Sequence, residues 1–165
     1  MADMLGDDAP APADPATLRA RALEVVEAER YLVLATVSPE GVPWSSPVWF
    51  AHDGLAAFYW ISRPHRTHSV NITHQPRVGF VVFDSRQPAG TGLAVYAAAA
   101  VGVAADDELD TGLAVFSERS VAHGVGPWTR ADHEGSGLSL YVARPAQLWL
   151  LPGAGTDERV PVPLS

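Results

Sequence analysis

The segment FYWISRPHRTHSVNITHQPRVGFVVFD, from Phe58 to Asp84, restricts the possible folds more than any other stretch of this chain. Its two ends, rich in aromatic and β-branched residues, read as strands. Between them lie a short basic linker and one or two helical turns. Ser62, Arg63, His65, Arg66, Thr67, His68 and Ser69 crowd the junction between the first strand and that helix. Such a set suits a phosphate group: Arg offers bidentate contacts, hydroxyls donate, and a helix N-terminus adds free N–H groups. The same residues would also make a solvated charged turn. The rest of the chain favours the first reading, because 19 Asp and Glu against 11 Lys and Arg make a basic concentration conspicuous.

The remaining pattern is mostly β. Asp14-Pro15 predicts a helix start, with Asp as N-cap and Pro in the first turn. Leu18, Ala22, Val25 and Val26 fall on one face of a helix over residues 15–30. Strands are expected over 31–37, 42–51, 55–62, 77–84, 93–104 and 138–151, with an edge over 160–164. Those over 77–84 and 93–104 are apolar on both faces, as central strands are. Pro43 and Pro47 cannot donate to a ladder and mark their strand as an edge. Asp106 is expected to cap a helix with Leu109, Leu113 and Phe116 inward. Gly90-Thr91-Gly92 reads as a loop between strands, and residues 124–128 as a loop covering a pocket.

Composition removes several classes. The length of 165 residues and a 47% hydrophobic content fit one compact domain over 14–165, after a flexible acidic tail over 1–13. Without cysteine there is no disulfide frame, thiolate metal site or thiol nucleophile. Net charge −8 argues against nucleic acid as a partner. No apolar run approaches the ~18 residues of a membrane span, and the N-terminus lacks the basic and apolar pattern of a signal sequence. A cytoplasmic location is the expectation. His65, His68 and His74 would fall on different faces of a helix and lack an acidic co-ligand, so no metal site is expected. No Gly-x-Ser-x-Gly elbow supports a hydrolase.

The order FYWIS, RTH, short helix, QPRVGFVVF resembles the FMN-binding split-barrel proteins related to pyridoxamine 5′-phosphate oxidase, over residues 25–105 and more loosely to Leu164. Ile61-Ser62 stands where that family has an aromatic-Thr pair, Thr67-His68 where it often has Arg-Lys, and Gln75-Pro76-Arg77-Val78 in an Asn-Pro-Arg-Val slot. The resemblance implies a mainly β fold: a six-stranded antiparallel split barrel with flanking helices. It implies FMN as cofactor, its phosphate held by Ser62, Arg66, Thr67 and His68. The ring would lie along Ser46, Pro47, Val48, Trp49 and Phe50, beside Ile61, with Trp44, Trp49 and Trp60 as walls. From residue type alone, those aromatics would be assigned to the core. Trp149 and Arg159 fall at the family's spacing for C-terminal cofactor contacts. They would reach the cofactor from the other subunit of a homodimer.

Two departures alter what the resemblance implies. The family's oxidase carries Gln where Leu93 stands here, and an Arg-x-His pair where Arg159 is followed by Val160-Pro161. The implied activity is therefore FMN-dependent hydride transfer to or from a small molecule other than the oxidase's vitamin substrate. A deazaflavin-dependent reductase and a non-catalytic flavin- or haem-binding protein are the alternatives. The catalytic residues and the substrate stay open.

Overall fold

The computed structural model describes residues 14–153 and 158–164. The tail expected over 1–13 lies outside them. Helix α1 (Pro15–Ala28) starts as the sequence predicts: the Asp14 carboxylate accepts from the N–H groups of Ala16 and Thr17, and Pro15 fills the first helical position. Leu18, Ala22, Val25 and Val26 are its buried face.

Among the described residues eight strands follow rather than six: β1 (Tyr31–Val37), β2 (Pro43–Trp49), β3 (Ala51–Asp53), β4 (Ala57–Ser62), β5 (Arg77–Phe83), β6 (Leu93–Val103), β7 (Ser139–Pro152) and β8 (Val160–Val162). The two extra ones have simple origins. The run expected over 42–51 breaks at Phe50 into β2 and β3, and the C-terminal edge forms β8 beside β7. All pairings are antiparallel, in the order β2-β1-β5-β6-β7-β4-β3. β2 and β3 stand at opposite ends of that order, yet only Phe50 separates them in sequence. The sheet must therefore curl until its two ends meet, which gives a half-barrel. β2 pairs with β1 alone among the described strands, so Pro43 and Pro47 cost no ladder bond on its open side.

Alternation along β4 divides its side chains between two cores. Phe58 and Trp60 face the barrel interior with Phe50, Phe80, Val95 and Leu148, closed at one end by α1. Ala57 and Tyr59 face the other way, against Leu109, Leu113 and Phe116 of α3 (Asp106–Ala122). β7 repeats the division, with Tyr141 and Ala143 inward and Leu140 and Val142 under α3. The stretches 57–61 of β4 and 140–143 of β7 are thus apolar because they are covered on both faces.

Among the described residues, three helices beyond α1 complete the fold. α2 (Thr67–His74) lies across the ends of β1 and β2. α3 begins one residue earlier than expected, with Ala105 as N-cap. Asp106, Asp107 and Glu108 instead fill its first turn, where negative charge complements the helix dipole. A short helix α4 (Arg130–Ser136) was not anticipated. Thr129 and Asp132 cap it reciprocally, and none of its residues is buried. Among the described residues no helix is long and apolar enough to cross a membrane.

Candidate functional site

A buried polar contact fixes the position of α2. Asn71 donates from Nδ2 to the Thr36 hydroxyl of β1 at 3.0 Å, and that hydroxyl donates to the Trp44 carbonyl of β2 at 3.4 Å. Ile72 and Ser69 pack inward beside Asn71. The N-terminal turn of α2 is thereby set against the inner side of the open edge strand. Arg66 precedes this helix without a side-chain cap hydrogen bond, which leaves first-turn N–H groups of α2 without a capping acceptor.

That cavity, of about 440 Å³, is lined by β2, β4, α2 and α3. It brings together Ser46, Pro47, Val48, Trp49, Ile61, Ser62, Arg66, Thr67 and His68. Trp44 and Phe116 complete its walls. Phe116 meets Trp49 edge to face, with ring centroids 4.9 Å apart, a geometry favoured by aromatic quadrupoles. Ser62 Oγ lies 2.9 Å from His68 Nε2, and His68 Nδ1 lies 3.2 Å from Ser46 Oγ. The indole N–H of Trp44 donates to the same Ser46 oxygen at 2.9 Å. Burial, and secondarily the Arg66 charge, hold the His68 imidazole below its ordinary pKa.

Several expected contributors lie elsewhere. Phe50 is fully buried in the barrel core, and its N–H points to the Arg30 carbonyl at 3.4 Å. Trp60 is not a pocket wall: it too is fully buried, stacked on Tyr141 with ring planes 9° apart. Ser69 is buried with its hydroxyl unpaired. The segment 124–128 does not cover this cavity. Its Trp128 backbone N–H donates to the Ser117 hydroxyl at 2.9 Å, and the Trp128 ring meets Phe116 edge to face with centroids 6.1 Å apart.

Trp149 and Arg159 line a different groove, of about 600 Å³, on the outer face of the sheet. There the Arg159 guanidinium lies 4.5 Å from the centre of the Tyr96 ring, a cation–π contact. Val33, Ala35, Gly79 and Val81 form its floor. β2, the open edge strand, contributes to both sites. Ser45 lines the outer groove and Ser46 the inner cavity.

Sequence reasoning placed Phe116 inward but not at the site. Its i, i+3 spacing from Leu113 marks a buried helix face, yet only the lie of α3 shows that this face ends at the cavity. Tyr96 was missed altogether, within a strand read as uniformly central.

The family model for pyridoxamine 5′-phosphate oxidase matches residues 18–151. No curated protein sequence matches the chain. Among solved structures, a haem-binding protein from Mycobacterium smegmatis superposes with TM-score 0.71 at 21% identity, covering 91% of this chain and 59% of that one. The haem storage protein HutZ of Vibrio cholerae gives TM-score 0.63 at 19% identity, covering 79% and 92%. A Clostridium acetobutylicum protein of the pyridoxinephosphate oxidase family gives TM-score 0.63 at 12% identity, covering 92% and 97%.

Proposed function

The chain belongs to the pyridoxamine 5′-phosphate oxidase family, and from that premise we propose that it is an FMN-dependent oxidoreductase acting on a small molecule, with cofactor sites completed across a homodimer. The observation that carries this reading is the convergence of Ser46, Ser62, Arg66, Thr67 and His68 on one cavity at the N-terminus of α2. The donor set fits a phosphomonoester. Arg66 supplies a permanent charge, the hydroxyls of Ser46, Ser62 and Thr67 supply neutral hydrogen bonds, and the helix terminus adds N–H groups. The aromatic walls Trp44, Trp49 and Phe116 suit a planar ring system beside that phosphate.

Flavin supplies the hydride chemistry when bound. The protein's own contribution is to bind, orient and shield it. Arg66 and α2 fix the phosphate end, and the peptide groups of β2 offer donors and acceptors along its open edge. Leu93 stands where the family's oxidase has Gln, and Val160-Pro161 follow Arg159 without the His of its substrate-gripping Arg-x-His pair, which favours a substrate other than that enzyme's.

Haem-binding is the second reading, motivated by the named functions of two proteins of similar fold. His68 argues for the flavin. Both its ring nitrogens are engaged by serine hydroxyls, an arrangement suited to anion capture rather than to axial ligation of iron. A deazaflavin would use the same aromatic cavity.

The test is to record the absorbance spectrum and mass of whatever copurifies, then titrate FMN into wild type and Arg66→Ala. Loss of a charge-assisted contact should weaken binding by about 1.5–3 kcal/mol, or roughly 10- to 150-fold. Unchanged affinity in the variant, or copurifying haem, would overturn the reading.

A further inference from the structure

We propose that ligand capture in the α2 cavity is coupled to protonation of His68, which acts as a positioning residue by turning the hydroxyls of both Ser46 and Ser62 toward the ligand's phosphate. This rests on the phosphate reading given above. The geometry is a closed chain of hydrogen bonds, Ser62 to His68 Nε2 at 2.9 Å and His68 Nδ1 to Ser46 at 3.2 Å. A neutral imidazole has one N–H and one lone pair. With both nitrogens bonded to hydroxyls, the ring donates to one serine and the other serine must donate to the ring. One of the two hydroxyl protons is therefore always committed to the ring and cannot donate to a ligand.

An imidazolium has two N–H donors and no acceptor. Both serines then accept from His68, and both hydroxyl protons are released. For Ser46 the outcome is fixed further. Its oxygen already accepts from the Trp44 indole at 2.9 Å. Once His68 Nδ1–H donates as well, both lone pairs are occupied and only the O–H remains, free to donate to a ligand.

The cavity cannot charge His68 by itself. β2 lines it with Trp44, Ser46, Pro47, Val48 and Trp49, β4 with Ile61 and Ser62, and α3 with Phe116, none of them acidic or basic. Arg66, just before α2, is the one charged side chain among the described lining residues, and it opposes protonation. A phosphate dianion supplies the missing negative charge. The arrangement thus selects a phosphomonoester dianion over a phosphodiester monoanion, and both over an uncharged ligand.

The experiment is calorimetric titration of FMN at about pH 8 in buffers of different ionisation enthalpy, where free phosphomonoester is almost fully dianionic and His68 is neutral. Wild type should take up protons on binding FMN. His68→Lys, already charged, should bind FMN with an enthalpy independent of the buffer. Riboflavin should bind wild type more weakly and without proton uptake. The ¹⁵N resonances of the wild-type His68 ring, followed on adding FMN, should move from neutral to imidazolium values. FMN binding with no proton uptake and an unchanged His68 spectrum would overturn this inference alone. Absence of FMN binding by wild type would overturn the phosphate reading, and this inference with it.

Discussion

Arg119 Nη1 of α3 lies 2.8 Å from Nε2 of His52 on β3. A guanidinium can only donate, so His52 presents a lone pair at Nε2 and carries its proton on Nδ1, which donates to the Gly54 carbonyl at 2.9 Å. The same Arg119 donates from Nη2 to the carbonyls of Val26, Glu27 and Glu29, closing the C-terminus of α1. Its guanidinium also sits 5.1 Å from the centre of the Phe50 ring. One side chain joins α3 to α1, to the β3 turn and to the barrel core. That arrangement requires His52 to be neutral.

Stability should therefore fall as the solution is acidified from about pH 7 to 5. Burial and Arg119 hold the His52 pKa below its ordinary value, against the opposing pull of Glu27. His68 and His123 are depressed too, by burial first. A histidine with a depressed folded-state pKa is neutral in the fold while the unfolded chain takes up a proton. Its contribution is complete above ~6.5 and is lost as pH falls toward the folded value. Carboxylates such as Asp14 and Asp84, whose values are lowered by hydrogen bonds, lose their contribution only at lower pH. Thermal midpoints measured at half-unit steps should decline over this window, and His52→Gln, which accepts from Arg119 without charging, should flatten part of the decline. A midpoint constant from pH 7 to 5 would contradict the assignment.

Two glycines should respond oppositely to alanine. Gly112 brings α3 close to the sheet: a Cβ there would lie 2.7 Å from Leu140 Cδ2 and 3.0 Å from Tyr59 Cε1. Leu140 is fully buried and the Tyr59 ring is rigid, so neither yields easily. Overpacking costs about 1–3 kcal/mol, which outweighs a helix-propensity gain of up to about 1 kcal/mol. Gly135 of α4 has open space where its Cβ would be, and there alanine should stabilise by about 0.5–1 kcal/mol. Urea unfolding would resolve the two. Equal stabilisation by both substitutions would show that α3 does not approach the sheet this closely.

What the sequence revealed and what it hid have the same physical source. Asp14-Pro15 announced α1, and the prolines of β2 announced an edge, because these signals are local. The donor cluster from Ser62 to His68 was legible for the same reason: strand end, turn and helix start are contiguous. Trp44 and Trp60 were not separable in that way. β4 is covered on both faces, so its composition does not say which parity faces the barrel, and Trp60 proved to be core. Helix α4 has no buried residue and hence no apolar period. Its one signal was Thr129 followed three residues later by Asp132, a capping pair that is weak without an apolar run behind it. Phe116 shows the remaining limit, since its place at the cavity depends on how α3 lies on the sheet.

Trp149 and Arg159 pose the last question. They line the outer groove, apart from the cavity that gathers Ser62 to His68. The family resemblance gives both groups to one cofactor. The conflict disappears if two chains pair around a two-fold axis, so that the Trp149–Arg159 groove of each meets the open cavity of the other. β2 is suited to such a junction, being an open edge that lines both sites and carries the half-exposed Trp44. Complementation would test it. Arg66→Ala and Arg159→Ala should each weaken FMN binding as homodimers. In a mixed dimer, one site would combine Arg66 of one chain with Arg159 of the other and be intact, while its twin would lack both. Random reassortment of equal amounts should therefore restore tight binding at about a quarter of all sites. Were each site built within one chain, mixing would restore none. A sedimenting species near 17.5 kDa that still retains FMN would also sink the shared-site arrangement.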